Sequence, residues 1–252
     1  MKVVSRIVGL VDYEFCLEKM KKRVQSLDPA GVDEFWTVEH TSVYTLGKRS
    51  KTSSVPLLAR SIPIVRSDRG GQVTYHGKGQ LVLYTILNFR RLELGPKEFV
   101  IMLEKAVIDY LESFGIPSYG RRDFPGVYVE NKKVASIGLR ISNGFSYHGL
   151  SVNVDMDLEP FEAIDPCGIE GMEVTQLSSL GIKSKIEAVS CKVRENLYAN
   201  IYRGQKMTEI EAIGFCELNS LSPPSGNSCI ALAPRRSILS HLQPAATNSH
   251  SA

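Results

Sequence analysis

Paired cysteines are missing from this chain. Its five cysteines (Cys16, Cys167, Cys191, Cys216 and Cys229) are odd in number and scattered, and none forms a Cys-x-x-Cys pair. That spacing argues against a zinc ribbon and against a disulfide framework, and it suits a reducing compartment where a special cysteine works as a thiol. No apolar run approaches the ~18 residues a membrane span needs. The apolar stretch at 3–11 is followed at once by Asp12 and Glu14, without a small-residue cleavage site, so no signal peptide is read. A cytoplasmic protein without a membrane contact is expected. Charge of one sign is also scarce: a formal +3 is too little to argue for nucleic acid, though clustered basic residues would permit an acidic protein partner. The phosphate-loop pattern, the strand–glycine–helix dinucleotide fingerprint and the Gly-x-Ser-x-Gly elbow are all absent. His40, His76 and His148 lie far apart with no ligand spacing, so neither a metal nor another cofactor is expected.

What is present is an ordinary mixture. Apolar residues make up 43% and charged residues 23% of 252 positions, enough for a full core in one large α/β domain or two small ones. Helix-like and strand-like stretches alternate without repeats or an internal linker. Residues 12–27 read as a helix, with Asp12 as N-cap and a basic face of Lys19, Lys21, Lys22 and Arg23. Strands are predicted at 34–40, 43–46, 62–65 and 80–89. The clearest helix follows, with Pro96 in its first turn, Phe99, Leu103, Ala106, Val107, Tyr110, Leu111 and Phe114 on one face, and Gly115 to end it. Residues 127–129 and 133–141 flank a turn at Glu130, Asn131 and Lys132, and a second turn at 142–144 leads into a strand at 147–154. A last helix is expected from Ser184, capped by a Ser184/Glu187 box and stopped near Gly204. From 220 onward the composition shifts to Ser, Pro, Asn and Ala, so residues 1–215 are taken as the domain and 220–252 as a tail that does not pack.

Three segments could carry chemistry. Cys167 lies between Pro166 and Gly168, a pair that favours a turn and so presents a thiol rather than packing it. Taken alone, that turn is as compatible with a structural role. Cys191, inside a helix, has the look of a structural cysteine. In the strand 133–141, period-2 alternation puts Lys133 on one face with Ala135, Ile137, Leu139 and Ile141, while Lys132 belongs to the turn. A desolvated amine serves as a base near neutral pH, and beside a thiol its charge favours the thiolate. The plainer alternative is a lysine at a strand mouth that reaches back to water. The third segment is glycine-dense: Arg69, Gly70, Gly71, Gln72, Val73, Thr74, Tyr75, His76 and Gly77. Such backbone lets a ligand approach N–H groups closely, and it also fits a hairpin with glycine turns.

Together these segments resemble the lipoyl(octanoyl) transferase family, which moves octanoyl groups between carrier proteins. The likeness rests on SDRGGQVTYHGKGQLVLY (67–84), PGVYVENKKVASIGLR (125–140), SYHGLSVNVDMDL (146–158) and FEAIDPCGIEGMEVTQL (161–177), in that order, over roughly residues 1–215. It implies an α/β (α+β) single domain, a mixed sheet flanked by helices, like the biotin and lipoate protein ligases. It places the nucleophilic cysteine at Cys167 and the catalytic lysine at Lys133. Acyl-binding stretches of the family fall on Arg69 through His76, on Ser136, Ile137 and Gly138, and on Gly149, Leu150 and Ser151. The implied donor is octanoyl-acyl carrier protein. The implied acceptors are lipoyl domains of 2-oxoacid dehydrogenase E2 subunits and the glycine cleavage H protein, and no ATP is needed. Backbone N–H groups of Gly77 and Cys167 are a hypothetical oxyanion hole. The sequence departs from the family pattern at Lys78 and at Thr41-Ser42, where prolines are usual, and at Ser151, where a small apolar residue is usual. The rivals are an ATP-using lipoate or biotin ligase, an octanoyl amidotransferase acting between lipoyl-type domains, and a non-catalytic carrier-binding protein.

Overall fold

Strand β1 (Lys2–Val11) occupies the apolar N-terminal stretch, for which the sequence had suggested no element. It is followed by α1 (Tyr13–Gln25), capped as expected: the Asp12 carboxylate accepts from the Phe15 N–H at 2.9 Å. The computed structural model describes residues 1–28, 31–50, 61–165, 171–203, 205 and 207–215. Cys167, Gly204 and the tail after 215 therefore lie outside the described residues.

The further strands are β2 (Asp33–His40), β3 (Val43–Leu46), β4 (Ile64–Arg66), β5 (Val73–His76) and β6 (Gln80–Asn88). Next come helices α2 (Phe89–Leu92) and α3 (Pro96–Glu112) and strands β7 (Tyr119–Gly120), β8 (Gly126–Val129), β9 (Lys132–Ser142) and β10 (Phe145–Asn153). The short helix α4 (Glu159–Glu162), helix α5 (Ile186–Ile201) and strand β11 (Thr208–Ile213) complete the order. Eight strands make one mixed sheet in the order β11-β1-β2-β6-β10-β9-β8-β7, and β4-β3-β5 make a small second sheet. Parallel pairing joins β1 to both β2 and β11, and the remaining pairs of the large sheet are antiparallel.

The large sheet is covered on both faces, which is why β6 is buried along its whole length. Its alternate residues Leu81, Leu83 and Leu87 pack with α3 and α5, and Val82, Tyr84 and Ile86 pack with α1. Tyr44, Leu46, Val73 and Tyr75 of the small sheet form a separate cluster with Met156, Phe161 and Ile164. None of the described helices is long and apolar enough to cross a membrane.

Several local expectations shift. The predicted run 80–89 ends at Asn88, whose side chain caps α2 by accepting from the Arg91 N–H, so Phe89 begins a helix. The Ser184/Glu187 box does not form. Lys185 is the extended residue before α5, which puts Ser184 one position too early to cap. The turn at 130–132 is a two-residue one: Glu130 and Asn131 have φ of 48° and 68°, and Lys132 already pairs with Val129. Cys191 is exposed on α5 rather than buried.

Buried charge ties the strands to the helices. The Glu34 carboxylate accepts from Arg6 and from Trp36, each at 2.9 Å, and from Arg23 of α1 at 2.7 Å. Asp33 accepts from the Asn88 N–H at 2.9 Å and from the Tyr202 hydroxyl at 2.7 Å, and pairs with Arg91 at 2.6 Å. Such carboxylates are tolerated inside only because every oxygen is engaged.

Candidate active site

A cavity of about 60 Å³, open at its mouth, lies where the α1 face of the large sheet meets the loop that enters β5. Its wall includes Arg69, Gly71, Gln72, Val73, Thr74 and His76, then Ser136, Ile137 and Gly138 of β9, and Gly149, Leu150 and Ser151 of β10. Lys133 opens onto the same space. The three stretches singled out by the resemblance, far apart in sequence, thus surround one cavity. Gly70, Tyr75 and Gly77 do not line it. Tyr75 packs in the small-sheet cluster with its hydroxyl 3.0 Å from Ser42 Oγ, and the Gly70 N–H donates to Leu139 O at 2.8 Å.

Lys133 is 2% exposed and sits on the cavity side by a route that alternation alone does not give. The β8–β9 register shifts at Val127/Tyr128, pairing Tyr128 with Lys133 and Val127 with Ala135. Val134 is the extra residue of this bulge. Lys133 therefore does not share a face with Ala135, which packs with Val127 in the α3/α5 core; it faces the cavity beside Ser136 and Gly138. Its ammonium stands 5.4 Å from the centre of the Tyr128 ring, and its backbone is held on the other side as well. The Lys133 N–H donates to Glu173 O and the Thr175 N–H donates to Lys133 O, each at 2.9 Å. The chain that follows Cys167 is thereby zipped to Lys133, while Lys132 turns outward to an ion pair with Glu173 at 2.6 Å.

The glycine-dense segment is pinned by polar side chains. Arg69 points inward, donating to Thr45 Oγ1 and to Thr45 O at 2.7 Å and to Gly70 O at 3.0 Å. Asp68 joins this loop to β10. His148 Nε2 donates to its Oδ1 at 2.9 Å, and the Tyr147 hydroxyl donates to the other oxygen. Burial alone would raise the Asp68 carboxyl, but the His148 and Tyr147 hydrogen bonds outweigh it and hold the group well below the usual carboxylate range. His148 has φ 64° in the middle of its strand, and its ring stacks on that of its neighbour Tyr147.

The sequence missed that its three distant histidines gather here. His40 Nδ1 donates to Val11 O at 3.0 Å, so its Nε2 accepts from the Tyr84 hydroxyl at 2.7 Å. The His76 ring stacks on Tyr13 with centroids 5.7 Å apart and lies 5.9 Å from that of His40. Burial pushes all three histidines toward the neutral form, His40 down to about 4. A relay runs on from His76 Nδ1 to Gln80 Oε1 at 2.7 Å, from Gln80 Nε2 to Asn153 Oδ1 at 2.9 Å, and from Asn153 Nδ2 to Thr175 O at 2.9 Å. The signal available in the sequence was only that His148 directly precedes the Gly149-Leu150-Ser151 stretch. Among the described residues, no three His, Cys, Asp or Glu side chains converge as metal ligands. The basic face of α1 is partly neutralised, since Lys22 pairs with Glu18 at 2.6 Å and Arg23 with Glu34 at 2.6 Å.

Chemically, this is a cavity with one buried amine in its wall, and the chain a few residues beyond Cys167 is hydrogen-bonded to the backbone of that lysine. Residues 12–197 match the lipoyl protein ligase A/B catalytic domain. The octanoyltransferase of Pseudomonas entomophila (strain L48) is 45% identical over 203 residues, 81% of this chain and 94% of that one. That of Vibrio atlanticus (strain LGP32) is 46% identical over 196 residues, 78% and 89% of the two chains. A bi-partite lipoate protein ligase from Thermoplasma acidophilum shares the fold, with a TM-score of 0.69 over 84% of this chain and 87% of that one, at 14% identity. A cavity-lining set drawn from three separate stretches, a family match over most of the chain and near-full-length relatives agree: this chain belongs to the lipoyl protein ligase A/B family and is an acyltransferase of the octanoyltransferase type.

Proposed function

We propose that the chain transfers an octanoyl group from acyl carrier protein to the lysine of a lipoyl domain through a thioester on Cys167, with Lys133 moving the protons. The observation that carries this reading is the position of Lys133, buried in the cavity wall and hydrogen-bonded through its backbone to Glu173 and Thr175, a few residues beyond Cys167. Before that cysteine, Ile164 anchors the chain in the small-sheet cluster. The described chain is thus anchored on either side of that cysteine, at the small-sheet cluster before it and at Lys133 after it.

In the first half-reaction the Cys167 thiol gives its proton to the Lys133 amine, and the thiolate attacks the carbonyl of the octanoyl thioester on the donor's phosphopantetheine arm. Collapse of the adduct breaks the donor C–S bond, and Lys133 returns the proton to the departing thiolate. In the second half the acceptor lysine's neutral amine attacks the Cys167 thioester, losing a proton to Lys133 as the C–N bond forms. Cys167 leaves as a thiolate and is reprotonated. A thioester becomes an amide, so the sequence is downhill without a nucleotide. The alkyl chain lies along Val73, Val82 and Leu150, with Gly71, Gly138 and Gly149 allowing close approach of backbone. The N–H of Cys167 remains a proposed oxyanion donor, whereas Gly77, the other donor expected from the sequence, does not line the cavity.

The test is transfer from octanoyl-acyl carrier protein to an isolated lipoyl domain, followed by the mass of the acceptor, without ATP. Cys167→Ser and Lys133→Ala should each lose at least about 10³-fold in rate, as removal of a nucleophile or its proton partner does elsewhere. Full transfer by Lys133→Ala, or strict dependence on ATP, would overturn the assignment and favour a ligase.

A further inference from the structure

His76 keeps a ring nitrogen that no described residue engages. The residue is 6% exposed and lines the cavity. Tyr13 stacks on its ring, and the ring of His40 meets it at a steep angle. Its Nδ1 lies 2.7 Å from Gln80 Oε1. Its Nε2 has no hydrogen-bond partner among the described residues, and it is not sealed into the protein as the unpartnered Nδ1 of His148 is.

The tautomer follows from the far end of the relay. Thr175 O can only accept, so the Asn153 side chain turns its Nδ2 toward it, at 2.9 Å. Asn153 Oδ1 then accepts from Gln80 Nε2 at 2.9 Å, and that same nitrogen donates its other hydrogen to Tyr75 O at 3.3 Å. Gln80 Oε1 is left facing the ring, so His76 Nδ1 carries the hydrogen and His76 Nε2 the lone pair. Burial, then His40 and Arg69, drives the imidazole toward the neutral form against the pull of its Gln80 bond.

That lone pair belongs to the Lys133 end of the sheet. Gln80 pairs with Asn153 at the end of β10, Asn153 reaches Thr175, and the neighbouring Val174 bridges Lys133. Thr175, whose carbonyl begins the relay, also donates its N–H to Lys133 O. One continuous set of hydrogen bonds therefore holds both the His76 ring and the Lys133 backbone.

We propose that His76 Nε2 binds the amine of the acceptor lysine, accepting one of its N–H groups and aiming its lone pair at the Cys167 thioester. This rests on the reading of transfer through that thioester, and it goes beyond the acyl-binding role expected of the glycine-dense segment. The chemistry selects the amine. Of the reacting groups that the two substrates bring, the donor's thioester sulfur and carbonyl oxygen have no hydrogen to offer an acceptor, whereas the neutral amine has two. In the attack one of these passes as a proton to Lys133 while the C–N bond forms, the Cys167 C–S bond breaks and the thiolate leaves. The other stays on nitrogen as the amide N–H, held by His76 throughout. An imidazole kept neutral by burial accepts that hydrogen bond without taking the proton.

His76→Asn keeps a side-chain N–H near the Nδ1 position for Gln80 and has nothing at Nε2. Intact-mass spectrometry times the two half-reactions apart: formation of the octanoyl adduct from octanoyl-acyl carrier protein, and its discharge by an isolated lipoyl domain. Discharge should slow about 10- to 100-fold more than formation, the loss expected when one hydrogen bond to a group that gains charge is removed. Equal slowing of both steps, or of neither, would overturn the proposal. A second arm needs neither the variant nor the adduct. In protein carrying isotopically labelled histidine, read by nitrogen NMR, the Nε2 resonance of His76 should move upfield when a lipoyl domain is added. It should stay in place when the acceptor lysine of that domain is replaced by methionine. No movement with either domain, or the same movement with both, would overturn the proposal even where the variant fails to fold. A wild-type protein that forms no adduct would instead sink the proposed function, and the resonance would still report whether His76 meets the amine.

Discussion

Replacing Gly126 with alanine should disable Lys133 while leaving a folded protein. Gly126 has φ 152°, a conformation L side chains rarely adopt, and its added methyl would overlap both Lys133 Cε and the Ala135 carbonyl oxygen. Backbone strain of this kind costs about 1–3 kcal/mol, and overpacking a filled site about as much again. A total of roughly 2–5 kcal/mol corresponds to a melting point lower by about 5–15 °C for a domain of this size. The Ala135 oxygen belongs to the sheet and yields little, so the lysine side chain must move. A displacement of about 1 Å at a reacting group costs on the order of 100-fold in rate. Gly115→Ala is the matched control: its φ is 71°, yet nothing lies within 4 Å of the added methyl. It should lose about 1 kcal/mol in stability and nothing in rate. The assays are a thermal melt and octanoyl transfer, both followed at a temperature where every variant is folded. A Gly126→Ala enzyme that transfers at the wild-type rate would refute the placement of Lys133 argued above.

Other consequences are as direct. Glu34→Ala should lower stability by about 3–5 kcal/mol in urea unfolding, because it removes the buried carboxylate that accepts from Arg6, Arg23 and Trp36. Stability should also fall as the pH drops from about 6.5 toward 4. His40 titrates at about 4 when folded and near 6.5 when unfolded, so its contribution is complete above 6.5 and lost as pH falls through that window. His40→Gln should flatten the pH dependence there, and an unchanged curve would count against the buried neutral imidazole. Asp68→Asn should loosen the loop that carries Arg69, because an amide removes the charge and replaces one of the two oxygens that accept from His148 and Tyr147 with a donor. The expected loss is about 1.5–3 kcal/mol of local hydrogen bonding, read as a raised KM for the octanoyl donor with the global melt little changed.

The segments that could be read from the chain were those whose signal is local. Asp12 before an amphipathic run, Pro96 at a helix start and two turns with left-handed Asn residues specify themselves within a few positions, and the structure has each of them. The alternation of β9 was read correctly as a strand but not as a bulged one. The extra residue at Val134 is dictated by pairing with β8 and leaves no mark in the sequence of β9 alone. The same limit hid the site's surroundings. His40, His76 and His148 have no common spacing, and only the packing of α1 and the small sheet against β6 and β10 brings His76 and His148 to the cavity wall with His40 against His76. Glu104 reads as a polar interruption in the apolar face of α3, and the hydrogen bond it accepts from the Gly126 N–H appears only when β8 is laid beside it.

The proposed transfer passes through a covalent octanoyl-enzyme at Cys167. The protein, incubated with octanoyl-acyl carrier protein and without acceptor, should gain the mass of one octanoyl group. Peptide mapping should place that group on Cys167, hydroxylamine should remove it, and addition of a lipoyl domain should discharge it. Transfer that proceeds at full rate while no adduct forms, or an adduct that maps to another residue, would contradict the mechanism.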